Sequence, residues 1–257
     1  MCTLTVITNI DTYRMAMNRD EDVTRGTGLP LDIDEFDRGR AIYPGDGSGG
    51  TWFATNESGI TLALLNWNDV AAGRIALVKS QSRGRVIPAL IGSGSLSDLH
   101  AGFSASDFEG MLPFRLVGVF PAEQQILEGR WDSRRLEAHI HAWESRHWFS
   151  SSLSDEHAER LRGTACRNAE HEPDAGSVVW LRRLHSSHAG GPGPFSLCVH
   201  RRDVKTLSYS EVSVSSSHIE MNHFRGSPCT MGPIQSKAID RTRPRKQMFG
   251  KLGASVI

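Results

Sequence analysis

Met1-Cys-Thr-Leu-Thr-Val-Ile-Thr8, followed by Tyr13-Arg-Met-Ala-Met17 and Asn18-Arg-Asp-Glu21, is the stretch on which the reading of this chain turns. Thr3, Thr5 and Thr8 interleave with Leu4, Val6 and Ile7, a near-alternating, β-branched pattern that predicts a strand. Asn9-Ile-Asp-Thr12 supplies turn residues, and Tyr13–Met17 carries a second strand into the charged Asn18–Glu21 run. The chain therefore opens as strand, turn, strand.

Outward from this hairpin, residues 22–50 are turn-rich and acidic and end in Gly45-Asp-Gly-Ser-Gly-Gly50. Thr51–Ala54, an Asn56-Glu-Ser-Gly59 turn and Ile60–Asn66 predict a second hairpin. Between Ser82 and Leu112, Val86, Leu90 and Ile91, then Leu96, Leu99 and Phe103, recur at helical spacings, interrupted by Pro88 and Gly-Ser pairs. Phe114–Phe120 predicts a strand, and residues 124–149 two longer ones joined near Trp131-Asp-Ser133. Asp155–Ala169 is the clearest helix, with Asp155 as N-cap and Leu161 on its apolar side. Val178–Leu184 fits either element, His185–Pro194 reads as a loop, and Ser196–His200 with Thr206–Val214 as a late hairpin. Strands adjacent in sequence point to mixed α/β architecture built on antiparallel hairpins. Residues 1–236 are expected to form the domain. The basic segment 237–257 is expected to be a weakly ordered or surface-laid tail.

Composition narrows the function. The chain of 257 residues balances 29 Lys plus Arg against 29 Asp plus Glu, which argues against a protein built to hold nucleic acid or anionic membrane. No apolar run approaches the roughly 20 residues of a membrane-spanning helix. Met1–Thr8 lacks the basic n-region of a signal peptide, so a reducing cytoplasm is the expected compartment. Cys2, Cys166, Cys198 and Cys229 contain no C-x-x-C pair, so free thiols are expected and no metal site.

Cys2 is the leading candidate for chemistry. Removal of Met1 would put a thiol and a free α-amine on one residue. That amine, with an ordinary pKa of about 7.7–8.0, can serve as general base for its own thiol, the arrangement of N-terminal nucleophile hydrolases. Taken alone, Cys2 is more simply read as a small buried residue opening a strand. The Asn18–Glu21 cluster could orient the amine, and Asn66, ending an apolar strand, could present an amide to an oxyanion.

Met1-Cys-Thr with Asn18-Arg-Asp-Glu21 resembles the NRDE-motif proteins, the transport and Golgi organisation 2 family. Gly49-Gly-Thr-Trp52, the Gly59–Asn66 strand and Ser82-Arg-Gly84 extend the resemblance. It implies an α+β fold, a four-layer αββα sandwich of antiparallel sheets like that of the N-terminal nucleophile hydrolases. Within that superfamily it is similar to the branch of choloylglycine hydrolases and penicillin V acylases. That branch implies a cysteine amidohydrolase acting on a small amide or acyl substrate and needing no cofactor. Cys2, Asn18, Arg19, Asp20, Glu21 and Asn66 are then the site residues. An ungapped reading puts Asn18 and Glu21 where the branch has Arg and Asp, with Arg19 and Asp20 between them. Serines 150–152 stand where a second oxyanion Asn is expected, and no clear Arg stands just before the late hairpin. The family's association with haem trafficking and lipid homeostasis implies the alternative, a non-catalytic carrier of haem or an acyl ligand in the same cleft.

Weaker patterns resolve to structural readings. Gly45–Gly50 satisfies G-x-G-x-x-G but precedes a predicted strand rather than a helix, so it is not a dinucleotide fingerprint. Glu137, His139 and His141 share one strand face, for which a solvated surface is the simpler expectation.

Overall fold

The computed structural model describes residues 2–36, 39–69, 81–189, 191–230 and 232–242. Strand β1 (Cys2–Thr8) and β2 (Tyr13–Asp22) form the expected opening hairpin. The acidic stretch beyond them is not all turn. It contains β3 (Leu31–Phe36) and β4 (Gly39–Pro44), with Leu31 and Ile33 facing the core between outward acids. β5 (Phe53–Asn56) and β6 (Thr61–Asn66) make the second hairpin. Helices α1 (Val86–Leu90) and α2 (Leu96–Ala105) follow, then β7 (Phe114–Phe120). Residues 124–149 hold three strands rather than two: β8 (Gln125–Trp131), β9 (Leu136–Ala142) and β10 (Arg146–Ser150). Next come α3 (Asp155–Ala169), α4 (Val178–His185), β11 (Val204–Val214), β12 (His218–Phe224) and β13 (Gln235–Asp240).

These strands form two antiparallel sheets, ordered β10-β1-β2-β11-β12-β13 and β3-β4-β5-β6-β7-β8-β9. Leu4, Val6, Met15, Met17, Val212 and Met221 of the first meet Phe53, Leu65, Val117 and Ile126 of the second in one apolar core. Helices α1 and α2 cover the outer face of the second sheet through Ile87, Leu90, Leu99 and Phe103. Helices α3 and α4 cover the first sheet through Ala158, Cys166, Trp180 and Leu184. The result is four layers, helix, sheet, sheet, helix, as expected. Central strands are covered on both faces, which is why β6 and β7 read as nearly continuous apolar runs.

Three local expectations are corrected. The N-cap of α3 is Ser154, whose side chain accepts from the His157 N–H, and Asp155 is the first helical residue. Leu161 is exposed; the buried stripe of α3 is Ala158, Arg162 and Cys166, spaced four apart. β11 pairs with β12 and β2, while the 196–200 segment contributes only an isolated bridge from His200 to Lys205. The boundary at 236 also moves, because β13 pairs with β12 over His218–His223 and buries Ile239. Arg241 then donates to the Ser58 and Ser215 carbonyls. The rest of the basic segment, 243–257, lies outside the described residues. No described helix is long and apolar enough to cross a membrane.

Candidate active site

β1 lies between β10 and β2, so Cys2 is opposed by Ser150 on one side and Arg19 on the other. Directly opposed residues of antiparallel strands share a face. Cys2 and Arg19 therefore point together into the space between the sheets, where a cavity of about 300 Å³ opens. Among the residues lining it are Cys2, Arg19, Asp20, Glu21 and Asn66, five of the six predicted site residues.

The register thus settles the ambiguity of the Asn18–Glu21 run. Arg19 lies beside the thiol; its guanidinium carbon is 4.5 Å from the centre of the Trp52 ring, and it donates to the Gly26 carbonyl at 3.2 Å and to Glu21 at 3.4 Å. Glu21 also pairs with Arg25 at 3.6 Å. Asn18 belongs to the opposite face and is corrected: its amide donates to the carbonyls of His185 (2.9 Å) and Leu197 (2.8 Å), under α4. Strand alternation allows no other outcome once Arg19 faces the cavity.

Asp20 reaches the cavity edge, but its fully buried carboxylate accepts from Thr206 Oγ1 at 2.6 Å and pairs with Arg162 at 3.4 Å. Burial pushes this carboxyl up, while the Arg162 charge and the Thr206 hydrogen bond pull it down. Burial likewise pushes the Cys2 thiol up, opposed by Arg19 and by an N–H from the Asp20 backbone. In the Met1-bearing chain, Cys2 is therefore a protonated thiol at neutral pH.

Besides Arg25, two further arginines absent from the predicted set complete the surroundings. Arg83, on the loop before α1, lines the cavity and donates to the Pro113 carbonyl at 3.0 Å. Burial lowers its pKa, with Glu21 and Cys2 opposing. Its signal was the Ser82-Arg-Gly84 motif, read only as a family mark. Arg162 lies behind the first sheet, buried, and donates to Thr3 Oγ1 (3.0 Å) and to the carbonyls of Cys2 (3.2 Å), Ser150 (3.4 Å) and Pro194 (3.4 Å). Its signal was a charged residue on the apolar stripe of a helix, at fourfold spacing from Ala158 and Cys166.

The far wall comes from the second sheet. Asn66 ends β6 at the cavity, and the loop beyond is pinned to α3: Asn68 N, Asn68 Nδ2 and Asp69 N all donate to the Asp155 carboxylate. The Gly45–Gly50 loop folds around the Asp46 carboxylate, which accepts from the N–H groups of Ser48 and Gly50, and leads into β5 as expected. Gly50 packs on Gly84 so closely that a Cβ on Gly50 would lie 2.9 Å from the Gly84 carbonyl carbon. Only glycine allows these two loops to close the cavity wall. Ser150, opposite Cys2, is fully buried, and its hydroxyl has no hydrogen-bond partner among the described residues.

Arg19, Arg25 and Arg83 give the cavity a set of guanidinium donors suited to a carboxylate or a developing oxyanion. No histidine is among its described lining residues, and Cys2 is its one soft metal ligand there. Elsewhere, His141 of the Glu137-His139-His141 face pairs with Glu128 at 2.9 Å across β8. All four cysteines are free, as expected, but Cys198 and Cys229 are not isolated: both lie against His200.

No curated protein matches the chain. Two solved structures similar to it are a mutant conjugated bile acid hydrolase from Clostridium perfringens and penicillin V acylase from Agrobacterium tumefaciens. The first is 9% identical, with 96% of this chain and 100% of that one covered and a TM-score of 0.48. The second is 11% identical, covering 92% and 90%, with a TM-score of 0.47. The family model for transport and Golgi organisation 2 matches residues 1–165, the part that carries Cys2, Arg19, Asn66, Arg83 and Arg162. The chain belongs to the transport and Golgi organisation 2 family.

Proposed function

We propose that the cavity is the site of a cysteine amidohydrolase acting on a small amide or acyl substrate, with Cys2 as nucleophile once Met1 is removed. The observation that carries this reading is the convergence of Cys2 and Arg19 from one sheet with Asn66 from the other on a single cavity. The freed α-amine takes the thiol proton as Sγ bonds to the acyl carbon and the carbonyl electron pair moves onto oxygen. The Asn66 amide steadies that oxyanion, and Arg19 and Arg83 add positive charge nearby. The C–N bond then breaks, the leaving nitrogen takes the proton from the ammonium, and water hydrolyses the thioester to a carboxylic acid and the thiol. Asp20, whose charge is felt at Cys2, holds the ammonium in place.

One observation favours the second reading, a binding site without chemistry. Ser150 rather than an amide side chain opposes Cys2. Haem or an acyl chain would then place a carboxylate on the arginines.

One experiment separates the two. Untagged protein is treated with a limiting thiol electrophile across a pH series, and the cysteine peptides are read by mass spectrometry. The hydrolase reading expects Met1 to be absent and Cys2 to label faster than Cys166, Cys198 and Cys229. It also expects Cys2→Ala to lose turnover of small acyl amides, while Cys166→Ala keeps it. Retained Met1 or an inert Cys2 sinks that reading. A Soret band shifted from that of free haem and saturating at one equivalent supports the second.

A further inference from the structure

Away from the cavity, three segments distant in sequence bring four soft donors together. Cys198, in a bend, and His200, in an isolated bridge to Lys205, stand two apart and turn their side chains toward one another. Cys229 comes from the short 3-10 turn Pro228–Thr230 after β12, and His188 from the loop after α4. The candidate ligand atoms of His188, Cys198, His200 and Cys229 all lie within 4.8 Å of one another. His200 Nε2 is 3.4 Å from Cys198 Sγ and 3.3 Å from Cys229 Sγ, and the two imidazole rings are 4.8 Å apart between centres.

We infer that these four residues form a structural metal site for a zinc-class cation, bound by two thiolates and two imidazoles. Bond lengths of about 2.3 Å to sulfur and about 2.0–2.1 Å to nitrogen place tetrahedral ligand atoms about 3.3–3.8 Å apart. The two Sγ–Nε2 distances already fall in that range, and closing the remaining separations needs only side-chain adjustment. Sulfur and imidazole donors select zinc-like ions over magnesium or calcium, which take oxygen.

A second observation points to a missing partner. His188 Nε2 is buried beside this cluster and has no hydrogen-bond partner among the described residues. A buried imidazole nitrogen left unsatisfied is costly, and a metal bond satisfies it. Binding would release the proton of each thiol to solvent as the metal–sulfur bond forms. The site would staple the α4–β11 connection to the β12–β13 connection, two irregular segments that share few strand hydrogen bonds. Four cysteines without C-x-x-C spacing conceal this arrangement in the sequence, because its ligands are spread over residues 188–229.

The test uses the full chain, purified under reductant and loaded with zinc or cobalt(II). The expected result is one metal ion per chain by elemental mass spectrometry. The cobalt form should show a thiolate-to-metal charge-transfer band and the d–d absorption of a tetrahedral ion. Cys229→Ser, at an exposed position that folding tolerates, and His188→Ala should both lose that spectrum, while Cys166→Ser keeps it. Substoichiometric metal, a cobalt spectrum without a thiolate band, or equal binding by Cys229→Ser overturns the proposal. So does recovery of a Cys198–Cys229 disulfide in place of metal.

Discussion

Arg162 shows how one buried charge can organise a site without touching the cavity. Its guanidinium faces the carbonyls of Cys2 and Ser150, so it fixes the backbone of β1 and β10 where the proposed nucleophile stands, and it balances the buried Asp20. Removing one partner of such a pair leaves the other charged and unmatched, at a cost of about 3–5 kcal/mol. Arg162→Met is therefore expected to lower the urea midpoint strongly at neutral pH. The sign with pH follows from Asp20, whose carboxyl is already raised by burial. Without Arg162 it rises further, so the folded variant holds a proton that the unfolded chain has released. Stability of the variant should then fall as pH rises from the ordinary carboxylate range through the raised value. Its deficit against the parent should be smallest in acid; a deficit independent of pH would contradict this coupling. The arginine was visible in the sequence as a charge on an apolar helical stripe. Its partners Cys2, Thr3 and Asp20 were not, because they lie on strands more than a hundred residues away.

At the scale of elements, the first turn of α3 ties the two sheets together at the cavity. Asp155 accepts from Ser151, Asn68 and Asp69, joining the end of β10 to the loop that follows Asn66. Asp155→Ala leaves the buried Ser151 N–H without an acceptor, at about 1–3 kcal/mol, and releases the exposed Asn68 and Asp69 N–H groups to water. The expected outcome is a matching fall in unfolding free energy. Amide exchange in the Asn66–Asp69 loop should rise with it, while exchange in the β7–β8 pair stays as in the parent. Unchanged exchange in the loop would mean that Asp155 does not hold it. Element identity was legible wherever both faces are covered or a cap is explicit, as in β1, β6, β7 and α3. β3 and β4 escaped because Asp32, Asp34 and Glu35 gave their segment the composition of a turn, although Leu31 and Ile33 keep the twofold alternation of a half-buried strand. α4 was open because eight residues with two arginines fit either period until Trp180, Leu181 and Leu184 meet the sheet.

For the whole molecule, the edge formed by β13 shows that the sheet extends into what composition marks as a tail. Burying Ile239 alone is worth roughly 1.5–3 kcal/mol. A chain ending at residue 236 should thus unfold at lower urea than one ending at 242, by at least about 2 kcal/mol. It should also tend to associate through the exposed β12 edge. Equal midpoints would mean that β13 adds nothing. By itself the sequence determined the opening hairpin, the layered antiparallel plan implied by the family resemblance, and Cys2 and Asn66 as residues brought to strand ends. These are local or periodic properties, written in alternation, burial and motif. Only the tertiary structure decided that Arg19 rather than Asn18 faces Cys2, because register is fixed by pairing with β1 and β11 and not by the run itself. Only it brought Arg83 and Arg162 to the site and gathered His188, Cys198, His200 and Cys229. Contacts between residues far apart in the chain are set by how sheets and helices stack, and no spacing in the sequence records that.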